Sequence, residues 1–172
     1  MFLNYMKNFF LKKILKNSLQ NLKNNFTADP VKSIGLVIDA SVFNNIESLI
    51  KELLSWGILP ENIKTIVYCE KLKKSEAEIH PTFSDRHLNW NGKFSSADVN
   101  DFVKEKFDLL ISYYDLEKAI LMQITNNSKA HFKVGFSSID KRLNHFMIKT
   151  EVNNYSIFTS ELFKYLKLLN KI

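Results

Sequence analysis

Glycine and proline are scarce in this chain, at four and three of 172 residues. A sandwich or barrel of many short strands needs more turn formers than that, so all-β folds are excluded first. No glycine lies between Leu36 and Ser55. A dinucleotide-binding turn needs glycine where the backbone meets the pyrophosphate, and a phosphate-binding P-loop needs GxxxxGK[ST]. Neither pattern is present, so nicotinamide, flavin and P-loop nucleotides are not expected, and no cofactor is. Cys69 is the single cysteine, which rules out an intrachain disulfide, a cysteine-rich zinc site and a CxxC motif. In the apolar run "TIVYC" it reads as a buried, inert thiol. Arginine occurs twice, at Arg86 and Arg142, against 22 lysines. Arginine is the residue of bidentate phosphate and base recognition, so sequence-specific DNA binding is not expected. Low-complexity segments and internal repeats are also missing.

What is present is an ordinary globular composition, 45% apolar and 24% charged, with 14 phenylalanines. The length fits one domain with one core. The net charge of +6 is uneven. Residues 1–28 hold five lysines and no acid, leaving the rest of the chain at +1. The sequence divides into a basic N-terminal arm, 1–28, and a domain, 29–172.

The arm reads as a helix. Phe10, Leu11, Ile14, Leu15, Leu19 and Leu22 fall on one arc, and Lys12, Lys13, Lys16, Gln20 and Lys23 on another. Tyr5 and Phe9 sit over the lysine face. The arm is too charged for a signal sequence or a bilayer span. Its apolar arc fits docking on the domain. Lys12, Lys13, Lys16 and Lys23 equally suit a protein partner, an anionic membrane surface or RNA.

After Asp29-Pro30 strands and helices alternate. "SIGLVID", "KTIVYCE" and "FDLLISYY" are short apolar runs that read as buried strands. "HFKVGF" alternates Phe132, Val134 and Phe136 and reads as half-exposed; "HFMIKTE" is a fifth strand. "SVFNNIESLIKELLSWG", "SADVNDFVKEK", "LEKAILMQITN" and "TSELFKYLKLLNKI" have helical spacing. This pattern predicts an α/β fold: a single Rossmann-like three-layer domain with a mainly parallel sheet, preceded by the amphipathic helix. Right-handed crossovers give the strand order 2-1-3-4-5. The eight-residue loop before the last strand admits a hairpin, and so an antiparallel edge.

In such a sheet ligands sit at the switch point, outside the carboxyl ends of strands 1 and 3. The candidate ligand site is therefore Asp39 and Ser41 after strand 1, facing Tyr113, Tyr114 and Asp115 after strand 3. The carboxylates of Asp39 and Asp115 have two uses: capping the next helix, or holding Mg²⁺ or phosphate. Tyr113 and Tyr114 alternate, so one is expected to pack and the other to face outward. A long polar stretch after strand 2 carries His87, Trp90 and Lys93, a candidate flanking loop. It reads as an edge hairpin turning at Asn91-Gly92, with Trp90 packed on the core. Cys69, His80 and His87 match no zinc spacing, and Ser84, Asp85 and His87 are too close in sequence for a hydrolase triad. Lys141, Arg142 and His145 form a small basic cluster expected in a solvated turn. With Lys93 it would face any bound anion.

"LNWNGK", "FDLLI", "SKAHFKVGF" and "FTSELFKYLKLLN" resemble a family of short Bacteroidota (flavobacterial) proteins described only as a domain of unknown function. That resemblance implies a cytoplasmic bacterial protein and brings no activity or residue role. Phe107-Asp108-Leu109 and Ala130 to Gly135 are also distantly similar to the N-terminal half of heptosyltransferase-like glycosyltransferases. The glycine-rich loop and the sugar-nucleotide domain of those enzymes are missing here.

The functional expectation is a non-catalytic binding or interaction domain in the cytoplasm, with an arm able to rest on the inner membrane. The alternative is a degenerate glycosyltransferase-like half-domain or a binder of a small anionic ligand at the switch point.

Overall fold

The computed structural model describes residues 2–22, 29–71 and 79–172. Lys23 lies outside them. Six strands form one sheet: β1 (Ile34–Asp39), β2 (Ile63–Tyr68), β3 (Thr82–Phe83), β4 (Leu109–Tyr113), β5 (Phe132–Phe136) and β6 (Phe146–Ile148). Their order is β3-β2-β1-β4-β5-β6, and every pairing is parallel. The helices are α1 (Phe2–Ser18), α2 (Ile46–Ser55), α3 (Ala97–Lys104), α4 (Ala119–Asn127) and α5 (Tyr155–Leu168).

β1, β4 and β5 are buried at every position, as central strands covered on both faces must be. α2 and α5 pack together on one face, α3 and α4 on the other, and α1 lies against α4. Alternation along β4 shows the two layers. Tyr113 packs among Phe43, Phe136 and Phe158, while the hydroxyls of Ser112 and Tyr114 meet Thr125 of α4. Asp108 ties the entries of β4 and β1 together: its Oδ2 accepts the N–H groups of Lys32 and Ser33 and the Ser33 hydroxyl.

The strand order is the one expected from the sequence, with the short β3 added outside β2. The last strand is parallel, not antiparallel. β6 begins level with Val134, so the chain has to retrace only about 7 Å from the end of β5. The loop manages that without a helix, burying Ile139 and Leu143 on the way.

β5 is not half-exposed. Lys133 and Gly135 occupy its polar-looking face, yet both are buried. Lys133 Nζ donates to the carbonyls of Thr125 (2.7 Å) and Asn126 (3.3 Å), near the end of α4. A cation is favoured there by the helix dipole.

A candidate ligand cleft beneath the N-terminal helix

The chain leaves β1 through a turn built by Asp39, whose residue is fully buried. Asp39 Oδ1 accepts the Ser41 N–H at 2.9 Å and the Ser41 hydroxyl at 2.6 Å. The Asp39 carbonyl accepts the N–H groups of Val42 and Phe43. α2 starts only at Ile46, after Asn45. Asp39 is therefore a turn residue and not a helix cap. Asp115 is not a cap either, because α4 starts at Ala119 after Lys118. The buried Asp115 Oδ1 has no hydrogen-bond partner, and the Asp115 carbonyl accepts the Ser138 hydroxyl at 2.9 Å.

The hub at the switch point is a residue the sequence did not single out. Lys118 Nζ forms an ion pair with Asp39 Oδ2 at 2.8 Å. The same ammonium donates to Ser41 Oγ, lies 3.4 Å from Glu70 Oε1 and sits 4.4 Å above the Tyr68 ring. Lysine at a helix N-terminus opposes the dipole. The buried Asp39 carboxylate offsets that cost, and the conflict is the only sign of Lys118 that 22 lysines leave in the sequence.

Neither tyrosine of the candidate pair faces outward. Tyr113 donates to the Val152 carbonyl at 2.6 Å, and the Tyr114 hydroxyl lies 2.8 Å from Thr125 Oγ1. Both are fully buried. Burial pushes both phenols above their ordinary range; Asp115 adds to this for Tyr113, and hydroxyl hydrogen bonds oppose it for Tyr114. They are core residues on opposite faces of β4.

α1 closes the cleft. Lys7 is buried and donates to the carbonyls of Asp85 and Leu88, both at 2.8 Å, around the 3-10 turn Asp85–His87. Asn8 donates to Asp85 Oδ2 at 2.7 Å. Further along, Glu117 Oε2 pairs with Lys16 at 2.6 Å and Lys12 at 3.5 Å. Arg142 donates to the Leu19 carbonyl at 3.2 Å. The expected apolar arc is split by this docking. Leu11, Leu15 and Leu19 are buried, whereas Phe10 and Ile14 are exposed. The helix turns toward its Lys7 side because the ammonium finds two carbonyls there.

Between α1 and the strand ends lies a cavity of about 540 Å³, within the ordinary range for small-molecule sites. Tyr5, Asn8, Phe9 and Lys12 of α1 form one wall. Tyr68 at the end of β2, Glu70 and Lys71 just after it, and Asp85, Glu117, Lys118 and Ala119 form the rest. Among the described residues three lysines face three carboxylates, so the lining they form is balanced in charge. Burial, and then the carboxylates of Asp85, Asp39 and Glu70, push the Tyr68 phenol above its ordinary range. It stays protonated and can donate.

The other candidates lie elsewhere. Asp39 and Ser41 sit behind Lys118 and position it without lining the cavity. His87 Nδ1 accepts the Ser84 N–H at 3.1 Å, and burial together with the Arg86 charge lowers its pKa. The hairpin turn at Asn91-Gly92 is present: Leu88 bridges Phe94, and Gly92 has φ +76°. Trp90 does not pack on the core; it is 59% exposed, and Lys93 is exposed as well. Cys69 is half-buried. Lys141, Arg142 and His145 do not make a solvated cluster. Arg142 forks onto Asp140, with Nη2–Oδ2 2.6 Å and Nε–Oδ1 2.9 Å, and His145 Nδ1 accepts the Lys133 N–H at 2.9 Å. Among the described residues no three His, Cys, Asp or Glu side chains are grouped to hold a metal ion. No helix there is long and apolar enough to cross a membrane.

The model of one protein family matches residues 7–169; it is described as a family of unknown function (DUF6913). No curated protein and no solved structure matches the chain.

Proposed function

The chain belongs to this family of unknown function, and from that premise we propose that it is a non-catalytic binding domain, taking a small polar ligand in the cleft between α1 and the carboxyl ends of β1, β2 and β4. The observation that carries the reading is the placement of the 540 Å³ cavity at the topological switch point of a parallel sheet, where α/β folds hold their ligands. A helix docked by a buried lysine completes its wall.

The lining suggests the ligand class. Tyr5 and Phe9 offer ring surface, and the paired charges of Lys12, Lys71 and Lys118 against Glu70, Asp85 and Glu117 suit a ligand with both signs or none. A simple anion receptor would carry excess positive charge, so the balance argues against an anionic ligand. An origin in the N-terminal half of a heptosyltransferase-like glycosyltransferase of the Bacteroidota fits the all-parallel sheet. Ligand binding without transfer is what such a half would retain.

The test is a thermal-shift panel of free amino acids, nucleosides, monosaccharides and inorganic phosphate on the full chain. A ligand that binds only the folded state raises Tm by mass action. We expect ring-bearing zwitterions or nucleosides to raise Tm for the wild type and not for Tyr5→Ala/Phe9→Ala. Stabilisation by phosphate alone, or gains that survive the double substitution, would contradict the reading.

A further inference from the structure

α1 spends one face on the domain and still presents apolar side chains to solvent. Leu3, Phe10 and Ile14 lie within about 40° of one another around the helix, and Tyr5 and Phe9 form a second row. All five are between 45% and 72% exposed. The buried face, with Lys7, Leu11 and Leu15, is already satisfied by the domain. The outer rows are therefore not a docking surface that failed to reach its target. Solvent-facing positions of a docked helix are ordinarily polar. Tyr5 and Phe9 also line the cleft, but Leu3, Phe10 and Ile14 stay exposed and form an apolar row of the kind that marks an interaction site.

The charges identify that partner. Lys13 lies between the two apolar rows and is exposed. Lys12 and Lys16 flank the aromatic row and share the single carboxylate of Glu117. α1 contains no acid, and Lys13 is the exposed cation beside the apolar row. Two copies laid face to face would bring lysines against lysines. RNA would use the lysines and stack a base on Phe10, but it leaves the aliphatic Leu3 and Ile14 without a role. Aromatic and aliphatic side chains interleaved with lysine on one face are the composition of a helix that lies in the headgroup layer of an anionic bilayer.

We propose that the outer face of α1 is a docking surface for an anionic lipid bilayer, with Leu3, Phe10 and Ile14 entering the interface and Lys13 facing the headgroups while the helix stays packed on the domain. This does not rest on the ligand reading above, since none of these four residues lines the cleft.

The experiment is co-sedimentation of the full chain with phosphatidylcholine vesicles, with and without phosphatidylglycerol. It is paired with hydrogen exchange of α1 on the same vesicles. The wild type should bind the phosphatidylglycerol vesicles at least about tenfold better than the neutral ones, and less well at high salt. The α1 amides should keep their protection when bound. Leu3→Ser/Phe10→Ser/Ile14→Ser changes only exposed positions and should lose about tenfold in binding with Tm unchanged; Lys13→Glu should weaken binding to phosphatidylglycerol alone. No binding by the folded wild type would overturn the proposal. So would a triple variant that binds as well as the wild type, or vesicle binding that strips α1 of its protection. A dimer that depends on the same row, without vesicle binding, would assign the face to self-association instead. If the triple variant fails to fold, the single substitution Ile14→Ser and the wild-type exchange data decide.

Discussion

At the scale of single residues, three sites show what burial demands: the Lys118–Asp39 pair, Gly35, and Lys133 with His145. Lys118 lines the cleft and is held from behind by the buried Asp39, its own side chain 19% exposed. Removing one member of a buried pair strands the other, at a cost of about 3 kcal/mol. Lys118→Met should lower stability by about that much in urea unfolding. Asp39→Ala/Lys118→Met should recover part of the loss, the coupling a double-mutant cycle measures. Gly35 of β1 is a second position: a Cβ there would meet Phe107 ring carbons at 2.6 and 2.7 Å. Gly35→Ala is expected to cost about 1–3 kcal/mol from overpacking, read by the same unfolding curves. The third is the buried Lys133 with the half-buried His145. Burial, and then the nearby Lys133 and Lys171, holds the imidazole down to about 4, so the unfolded chain binds a proton near pH 6.5 that the fold refuses until about pH 4. Stability contributed by neutral His145 is complete above pH 6.5 and is lost as pH falls through that window. Lys133, which burial and then Lys129 lower to about 8, acts at the other end. Its unfolded form holds a proton up to about pH 10.5, so stability rises with pH between 8 and 10.5. His145→Gln should flatten the acid limb of Tm against pH and leave the alkaline limb.

At the scale of elements, α1 shows what the sequence tells and what it hides. Its helical period and basic side are plain in the residues. Which face docks is not, because the deciding contact is Lys7, a charged residue that buries itself on two backbone carbonyls 78 and 81 residues away. No periodicity can report that. The same limit applies to β5, where Phe132, Val134 and Phe136 alternate with Lys133 and the pattern reads as half-exposed. The lysine is buried because the end of α4 happens to offer carbonyls. Helix starts mislead for a related reason. Asp39 and Asp115 stand where caps belong, yet α2 begins at Ile46 and α4 at Ala119, and Asp39 bonds Ser41 within its own turn. Lys7→Ala leaves two carbonyls without their donor, a loss of about 1–3 kcal/mol. Hydrogen exchange should show it as faster exchange throughout α1, with β1 and β4 unchanged; equal acceleration in those strands would mean α1 is not a separable contributor.

At the scale of the whole molecule, alternation of apolar strands with helices is enough to give the layers and the order of five strands. A right-handed crossover leaves few alternatives. The switch point comes from the same reasoning, but the residues that line it do not. Tyr113 and Tyr114 are core, because the two faces they alternate between are both covered, by α5 and by α4. The cleft is built instead from residues far apart in sequence: Tyr5 and Phe9 of the arm, Tyr68 and Glu70 after β2, Asp85, and Lys118. Only the fold brings them together, and the arm that reads as a separate piece is the lid of the site. The family match, which begins at Lys7, takes in most of that lid.

The most direct measurement is crystallography of the full chain soaked with a library of small polar and aromatic fragments. Fragments should collect between Tyr5 and Phe9 on one side and Tyr68 and Lys118 on the other, with α1 still docked through Lys7. Fragments gathering at other surfaces while this cleft stays unoccupied, or an α1 found away from the strand ends, would contradict the ligand reading.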